Sequence, residues 1–470
     1  VLNVRRIAGD IAAMPLFDPL RGNLLPAATD APGSGDVTAQ PNASASPETS
    51  EQPVSATPAA SATPMPGVTL VPTIQPADSQ SGGLVGSALT QTSQQSNTVD
   101  TSAAPLDAAV GMIALVEQPS TSGRGEWTAE QRLRAYSLAS TDPSNSEFGL
   151  EYGVYVDYER ADGYARAEQM TFGLGSEYTE LEGVITFRGN NFRENAAYGT
   201  AELSEKRFEV MWKNRIGSID SGYAVWSGVG WNGQPVMVHW SDEMRQMMNI
   251  RDEYKSDSEL VEVIYGTLDG NIYFLDARTG EYTRDPIELG FPITGSVSID
   301  PRGYPLLYVG QGISKANGRT GSIGWRVYNL LNQEHMYLLN GHDELRFRTH
   351  GSFDGVCLVD AETDTAVVGG ENGIFYTIKL NTQFDPTVPS ISIDPVVTLY
   401  RYKSAISDEL GFENSVAAYG RYAYLIDNSG LLNCFDMNTM TPVWLFDVGD
   451  DTDASIALEP QSDGLIALYT

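Results

Sequence analysis

Short β-rich apolar runs and polar turn residues follow one another most clearly in EVIYGTLDGNIYFLDARTGE, residues 262–281. Val263, Ile264 and Tyr265 form one β-rich run, and Ile272, Tyr273, Phe274 and Leu275 form the return run. Between them Leu268, Asp269, Gly270 and Asn271 supply turn chemistry, so the spacing predicts a hairpin. Asp276 can accept backbone N–H groups and Gly280 permits positive φ, which predicts a second turn leading to a third strand. One such unit cannot bury its own apolar face.

The pattern returns as AVVGGENGIFYTIKLN from Ala366 and as AYLIDNSGLLNCFDMNTMTPVWLF from Ala423. A looser copy runs from LLYVGQG at Leu306 to GWRVYNL at Gly324, its turn stretched by an insert over 314–322. The turn glycines Gly270, Gly373 and Gly430, with Gly324 between, recur roughly every 50 residues, a spacing of propeller blades. A short run of small residues precedes each hairpin: GSVSID at Gly295, DGVCLVD at Asp354, NSVAAY at Asn414 and ASIALE at Ala454. Small side chains suit an inner strand crowded against an axis. Four strands per unit predict an all-β chain, a β-propeller of four-stranded blades.

Following this register gives four blades, over 223–290, 294–341, 352–403 and 412–449, and a fifth begun at 455–470. Because the fifth blade stops after two strands, the expectation is about four and a half blades of an open arc, cut short at its C-terminal side. The segment over 210–216 is then a strand without its closing partner.

Upstream the pattern changes. No Lys or Arg occurs from Gly22 to Gly123 and no aromatic residue from Asp18 to Glu126. Residues 26–126, rich in Ala, Ser, Thr and Pro, are expected to form a disordered tether, because they cannot bury enough apolar surface to offset the entropy of ordering. The apolar run 108–116 is too short to cross a bilayer. Residues 1–25 stay unassigned: Ile7 to Leu16 after Arg5 and Arg6 has a signal-like flavour interrupted by Asp10, and no signal peptide or anchor is visible. Thr128 as an N-cap, with Leu133, Tyr136 and Leu138, predicts a helix over 128–139; the alternation over 148–158 predicts a strand. Together they suggest a small α+β lead-in over 127–182, before a propeller over 183–470.

Two stretches resemble the pyrroloquinoline-quinone-like repeat, in which a strand ends in Asp, a Thr-Gly turn follows and a Trp opens the outer strand. They run from Phe274 through Asp276, Thr279 and Gly280, and from Cys434 through Asp436 to Trp444, where Met440 replaces the glycine. Phe187-Arg-Gly-Asn-Asn-Phe-Arg193, followed by Val210-Met-Trp212-Lys, is similar to the entry segment of such propellers. The degenerate motifs are also WD-like. The resemblance implies a quinoprotein-like propeller of the tethered bacterial envelope type, a seven- or eight-bladed ring of which this chain is expected to be an open arc, placed outside the cytoplasm or at the cell surface. Quinone-dependent relatives carry vicinal cysteines and calcium-binding carboxylates. Cys357 and Cys434 are far apart in sequence and on different blades, so pyrroloquinoline quinone and calcium lack support and both cysteines read as buried free thiols.

The formal net charge is −32, and few of the charges lie in the tether. A folded part this acidic argues against nucleic acid and anionic lipid as partners. The densest polar constellation is HMYLLNGHDELRFRTHGSFD from His335 to Asp354. It sets Arg348, His350 and Asp354 at the loop entering an inner strand, at the channel mouth where propellers bind ligands. Glu413 and Asn414 enter the next blade equivalently. Asp354 paired with Arg348 across blades is the architectural alternative. Trp226 and Trp231 offer flat faces for a sugar or a quinone, or else blade packing.

Residues 241–260 read as a helical insertion whose Met244, Met247 and Met248 form either core or an exposed protein-docking stripe. The loop DVGDDTD holds Asp447, Asp450, Asp451 and Asp453, a weak calcium candidate that lacks the spacing and bidentate Glu of a calcium loop. No catalytic motif stands out. The leading expectation is a non-enzymatic scaffold for a protein or glycan partner, attached to a membrane only through an anchor outside this chain. A carbohydrate- or quinone-acting propeller using the channel mouth is the alternative.

Overall fold

The computed structural model describes residues 134–200, 207, 209–230, 233–461 and 466–470, with the short strands Phe17–Asp18, Asn23–Leu24 and Leu115–Glu117. Contacts divide the chain into one unit of residues 1–12, 16–24 and 108–470 and a second of 13–15 and 25–107; every described residue belongs to the first. The expected tether therefore lies outside the described residues, apart from Leu115–Glu117.

The repeated hairpins build four antiparallel blades. Blade one runs outward from Val236–His239 through Glu262–Gly266 and Asn271–Asp276 to Ile287–Glu288. Blade two runs from Val297–Ile299 through Leu306–Gly310 and Gly324–Asn329 to Glu334–Asn340. Blade three runs from Leu358–Asp360 through Thr365–Gly370 and Ile374–Lys379 to Val396–Lys403, and blade four from Ala417–Tyr419 through Tyr422–Ile426 and Leu431–Asp436 to Thr441–Asp447. Ala457–Pro460 and Ile466–Tyr469 add a two-stranded sheet. The chain is a β-propeller, and the predicted inner strands fall where the small-residue runs placed them.

Successive side chains of a strand point to opposite faces, so alternate residues serve alternate neighbours. Ile264, Ile272 and Phe274 of blade one pack with Val297, Leu307 and Val309 of blade two. Tyr308 and Trp325 pack with Val359 and Val368 of blade three, whose Val367 and Phe375 in turn meet Leu425 and Phe435 of blade four. Tyr424, Cys434 and Trp444 then cover Leu458 and Leu468. Both cysteines are free and buried.

Where the blades converge, backbone must approach backbone. A Cβ at Gly230 would lie 2.0 Å from the Thr294 carbonyl oxygen, at Gly295 2.1 Å from that of Asp354, and at Gly355 2.2 Å from that of Asn414. The stretch after Glu182–Val184, itself paired to Val236–His239, then crosses the inner strands. Ile299 N–H donates to the Ile185 carbonyl, Ala418 N–H to that of Asn191 and Leu458 N–H to that of Phe192. Arg193, with none of its surface exposed, donates to the carbonyls of Phe187, Val356 and Val416 and to the Thr186 hydroxyl. One side chain thus ties blades three and four to the crossing segment.

Several expectations change. Residues 134–136, expected within a helix, form the strand Arg134–Tyr136 against Leu115–Glu117, because Ala135 packs into the core beside blade four. The lead-in is not a separate α+β body in its described part: Glu151–Val156 pairs with Val396–Lys403 and Glu159–Ala161 follows it, widening blade three to six strands. The insertion forms two short helices, Asp242–Met247, capped by Ser241, and Asp252–Lys255. Its methionines are not a docking stripe. Met244 and Met248 are buried with Trp240, Ile250 and Tyr254, and Met247 packs against the same cluster.

Residues 210–216 join no sheet. Instead the Trp212 indole N–H donates to the Ala277 carbonyl at 2.9 Å and its ring lies over Gly280, where a Cβ would come within 2.5 Å. Gly280 holds φ +71°, the conformation its turn requires; Met440 takes φ +53° at the matching turn of blade four, buried in the core.

Candidate functional site

The loops entering blades three and four and the central turn of blade three meet at one axial mouth. Asp354 and Glu413 enter along the first two, each behind a buried phenylalanine, Phe353 and Phe412, and Glu371 stands on the turn. Carboxylate oxygens of Asp354, Glu371 and Glu413 all lie within 4.8 Å of one another. Three acids this close, out of water, repel one another as anions. Burial pushes Asp354 well above the usual carboxylate range, with the Glu371 charge adding to it. Burial, then the neighbouring Glu413, pushes Glu371 up to about 7. Glu413 is raised by burial and by Asp354.

The surrounding groups compensate in part. Thr294 donates its hydroxyl to Asp354, Asn428 Nδ2 donates to Glu413 at 2.5 Å, and His350 Nδ1 lies 2.8 Å from Glu371 Oε2. Arg348 does not pair with Asp354: its Nη2 donates to Glu409 at 3.1 Å, while its buried Nη1 has no hydrogen-bond partner among the described residues. Its positive charge nonetheless lowers the proton affinity of Glu371 and Glu413.

Of the residues singled out from sequence, Arg348, His350, Asp354 and Glu413 therefore come together. Asn414 does not join them, because its side-chain amide is spent on the Ile426 backbone within blade four. Trp226, half-buried on the hairpin of Ser218–Asp220 and Val225–Ser227, donates its indole N–H to Ser221 and meets Tyr223 edge-on at 6.1 Å. Trp231 lies outside the described residues.

The aspartate loop is exposed and organised by its own backbone, with Asp447 accepting from Gly449 N–H and Asp450 from Asp451 N–H. Among the described residues the metal-compatible group is the Asp354, Glu371 and Glu413 cluster instead, and Asp453 contributes to it only as a neighbouring charge that raises all three proton affinities. The sequence does not single out Glu371, which lies on a hairpin turn and not on a loop entering an inner strand. It sits two positions before the turn glycine Gly373, as Asn428 does before Gly430, so the repeat register itself marks the position. Among the described residues no helix is long and apolar enough to cross a membrane.

No family model matches the chain, and no curated protein matches it. Among solved structures it is similar to BamB from Moraxella catarrhalis, at 16% identity and TM-score 0.30, over 45% of this chain and 58% of that one. It is also similar to Sqt1 from Saccharomyces cerevisiae, at 12% identity and TM-score 0.31, over 46% of this chain and 56% of that one. The chain thus spans less than two thirds of either structure's length.

Proposed function

We propose that this protein is a non-enzymatic binding scaffold whose axial mouth takes a cationic group, either a metal ion or the ammonium or guanidinium of a protein partner. The carrying observation is the convergence of Asp354, Glu371 and Glu413 within 4.8 Å. A buried cluster of this kind is neutralised by a bound proton or by a bound cation, so the two compete. The reading extends to an extracytoplasmic propeller of the pyrroloquinoline-quinone-like repeat kind. Trp212 seated on the Asp276 to Gly280 turn supports the repeat, and the Ser/Thr/Pro-rich composition of residues 26–126 supports a surface tether. It needs no quinone, and an absorbance change on adding pyrroloquinoline quinone with calcium would count against it.

Calorimetric titration of the full chain at pH 8 with calcium, manganese and a lysine-rich peptide tests the mouth. We expect at least one to bind, with affinity falling severalfold by pH 6 and about tenfold or more in Glu371→Gln. Binding indifferent to both pH and the substitution would sink the reading. A second reading has one observation behind it: Glu371, held at about 7 beside His350, is suited to general acid–base work on a substrate at the mouth. Turnover of a glycoside or ester library that vanishes in Glu371→Gln would favour it.

A further inference from the structure

Val396–Lys403 of blade three carries two cations that the mouth does not use. Tyr400 and Tyr402 are buried between blades three and four, against Phe435 and Phe412, so Arg401 and Lys403, alternating with them, share the other face of the strand. Both reach the same aromatic ring. Phe347 stands half-buried on the loop entering blade three, its N–H donating to the Asn372 carbonyl at 3.2 Å and its ring packed against the core. The Arg401 guanidinium carbon lies 3.8 Å from the centroid of that ring, and Lys403 Nζ lies 4.9 Å from it.

A ring face attracts a cation through its quadrupole, but two cations gathered on one ring repel each other. Each other ring that meets a cation among the described residues holds a single one. Arg278, Arg284, Arg302, Arg348 and Lys379 all meet carboxylates. Arg401 and Lys403 form no ion pair among the described residues, although Glu151 stands opposite Lys403 in the strand register. Gly153, opposite Arg401, places no side chain there. Tyr155 instead lays its ring and hydroxyl over that position, 3.0 and 3.3 Å from where a Cβ would stand, and sets a further O–H donor beside Arg401.

We propose that Phe347, Arg401 and Lys403 form an anion site for a doubly charged oxyanion, a phosphate or sulfate group. The planar fork of Arg401 can donate two parallel N–H bonds to two oxygens of such a group, and Lys403 supplies a point charge to a third. Two positive charges match a dianion, whereas a carboxylate leaves one of them unmatched. Phe347 holds both cations together before the ligand arrives, so the ligand relieves a repulsion that the fold has already imposed. A chain of net charge −32 repels anions at long range, so an anion bound here is held by local contacts and not by general attraction. The site is distinct from the carboxylate mouth and stands independently of the cation reading of it.

Titration calorimetry of the full chain with inorganic phosphate and with sulfate, at fixed ionic strength and pH 7.5, tests the site, with acetate as the singly charged arm. At least one dianion should saturate a single site, and acetate should bind about tenfold more weakly or worse. Arg401→Gln and Lys403→Gln should each weaken the dianion about tenfold, and Arg401→Lys, which keeps the charge but loses the fork, severalfold. Lys379→Gln, at the other end of blade three and paired with Glu168, should leave the affinity unchanged. Binding of one dianion and not the other supports the site and names its ligand. No saturable binding of either dianion, affinity unchanged in Arg401→Gln and Lys403→Gln, or acetate bound as tightly as the dianions overturns the proposal. Lys403 is exposed, so Lys403→Gln decides alone if the near-ultraviolet dichroism of the Arg401 variants departs from wild type.

Discussion

Arg193 joins two blades and the crossing segment through one side chain. It is fully buried with no carboxylate against it among the described residues, and burial lowers its proton affinity to about 10. Its five N–H donors fit a set of carbonyls that converge from two blades and its own segment. Lysine, with three donors on a flexible stem, cannot satisfy them all. Arg193→Lys should therefore leave buried carbonyls unpaired and destabilise the fold by about 2–3 kcal/mol, read as a lowered urea midpoint. An unchanged midpoint would mean that water replaces the guanidinium. The sequence displayed this residue within FRGNNFR, but only as an entry motif. Its role depends on Val356 and Val416, which are distant in sequence and adjacent only after folding.

At the scale of elements, the hairpins were legible and the insertion was half legible. Short β-branched and aromatic runs marked the hairpin strands of all four blades, and in blades two to four those strands supply apolar residues to both faces. For residues 241–260 the helical character could be read, since Ser241 caps Asp242–Met247 as its position suggests. Which way the methionines face could not, because a stripe of Met serves core and surface equally well. Met248→Ala should cost about 2–4 kcal/mol, as a truncation in packed core, and Met247→Ala well under half as much. Equal, negligible effects on thermal unfolding would restore the docking surface. The strand at Arg134–Tyr136 was missed for the opposite reason. A helical spacing of Leu133, Tyr136 and Leu138 was present locally, but pairing with Leu115–Glu117 and packing of Ala135 prevailed.

For the whole molecule, buried carboxylates bend the dependence of stability on pH. Asp354, Glu371 and Glu413 bind protons more tightly in the folded chain than in the unfolded one. Their contribution is present in full below the unfolded value and is lost as pH rises; for Glu371 the window runs from 4.5 to about 7. The melting temperature should accordingly fall between pH 5 and pH 8, and Glu371→Gln should flatten part of that slope. A slope identical in the variant would place the proton elsewhere. Repulsion within a chain of charge −32 acts in the same direction as acids ionise, so the variant, and not the wild-type slope alone, is the informative arm.

By itself the sequence determined the blade. Short β-rich runs, Asp and Gly at turn positions, and small residues before each hairpin are local features, and local sterics and solvation suffice to read them. It also marked Arg348, His350, Asp354 and Glu413, because loops entering inner strands must reach the mouth. Only the tertiary structure decided that Glu371 completes the carboxylate cluster, that Arg348 turns to Glu409, and that residues 151–161 belong to a blade more than two hundred residues downstream. These outcomes rest on which segments share space. That is set by how sheets pack around an axis, a property that no window of the chain contains.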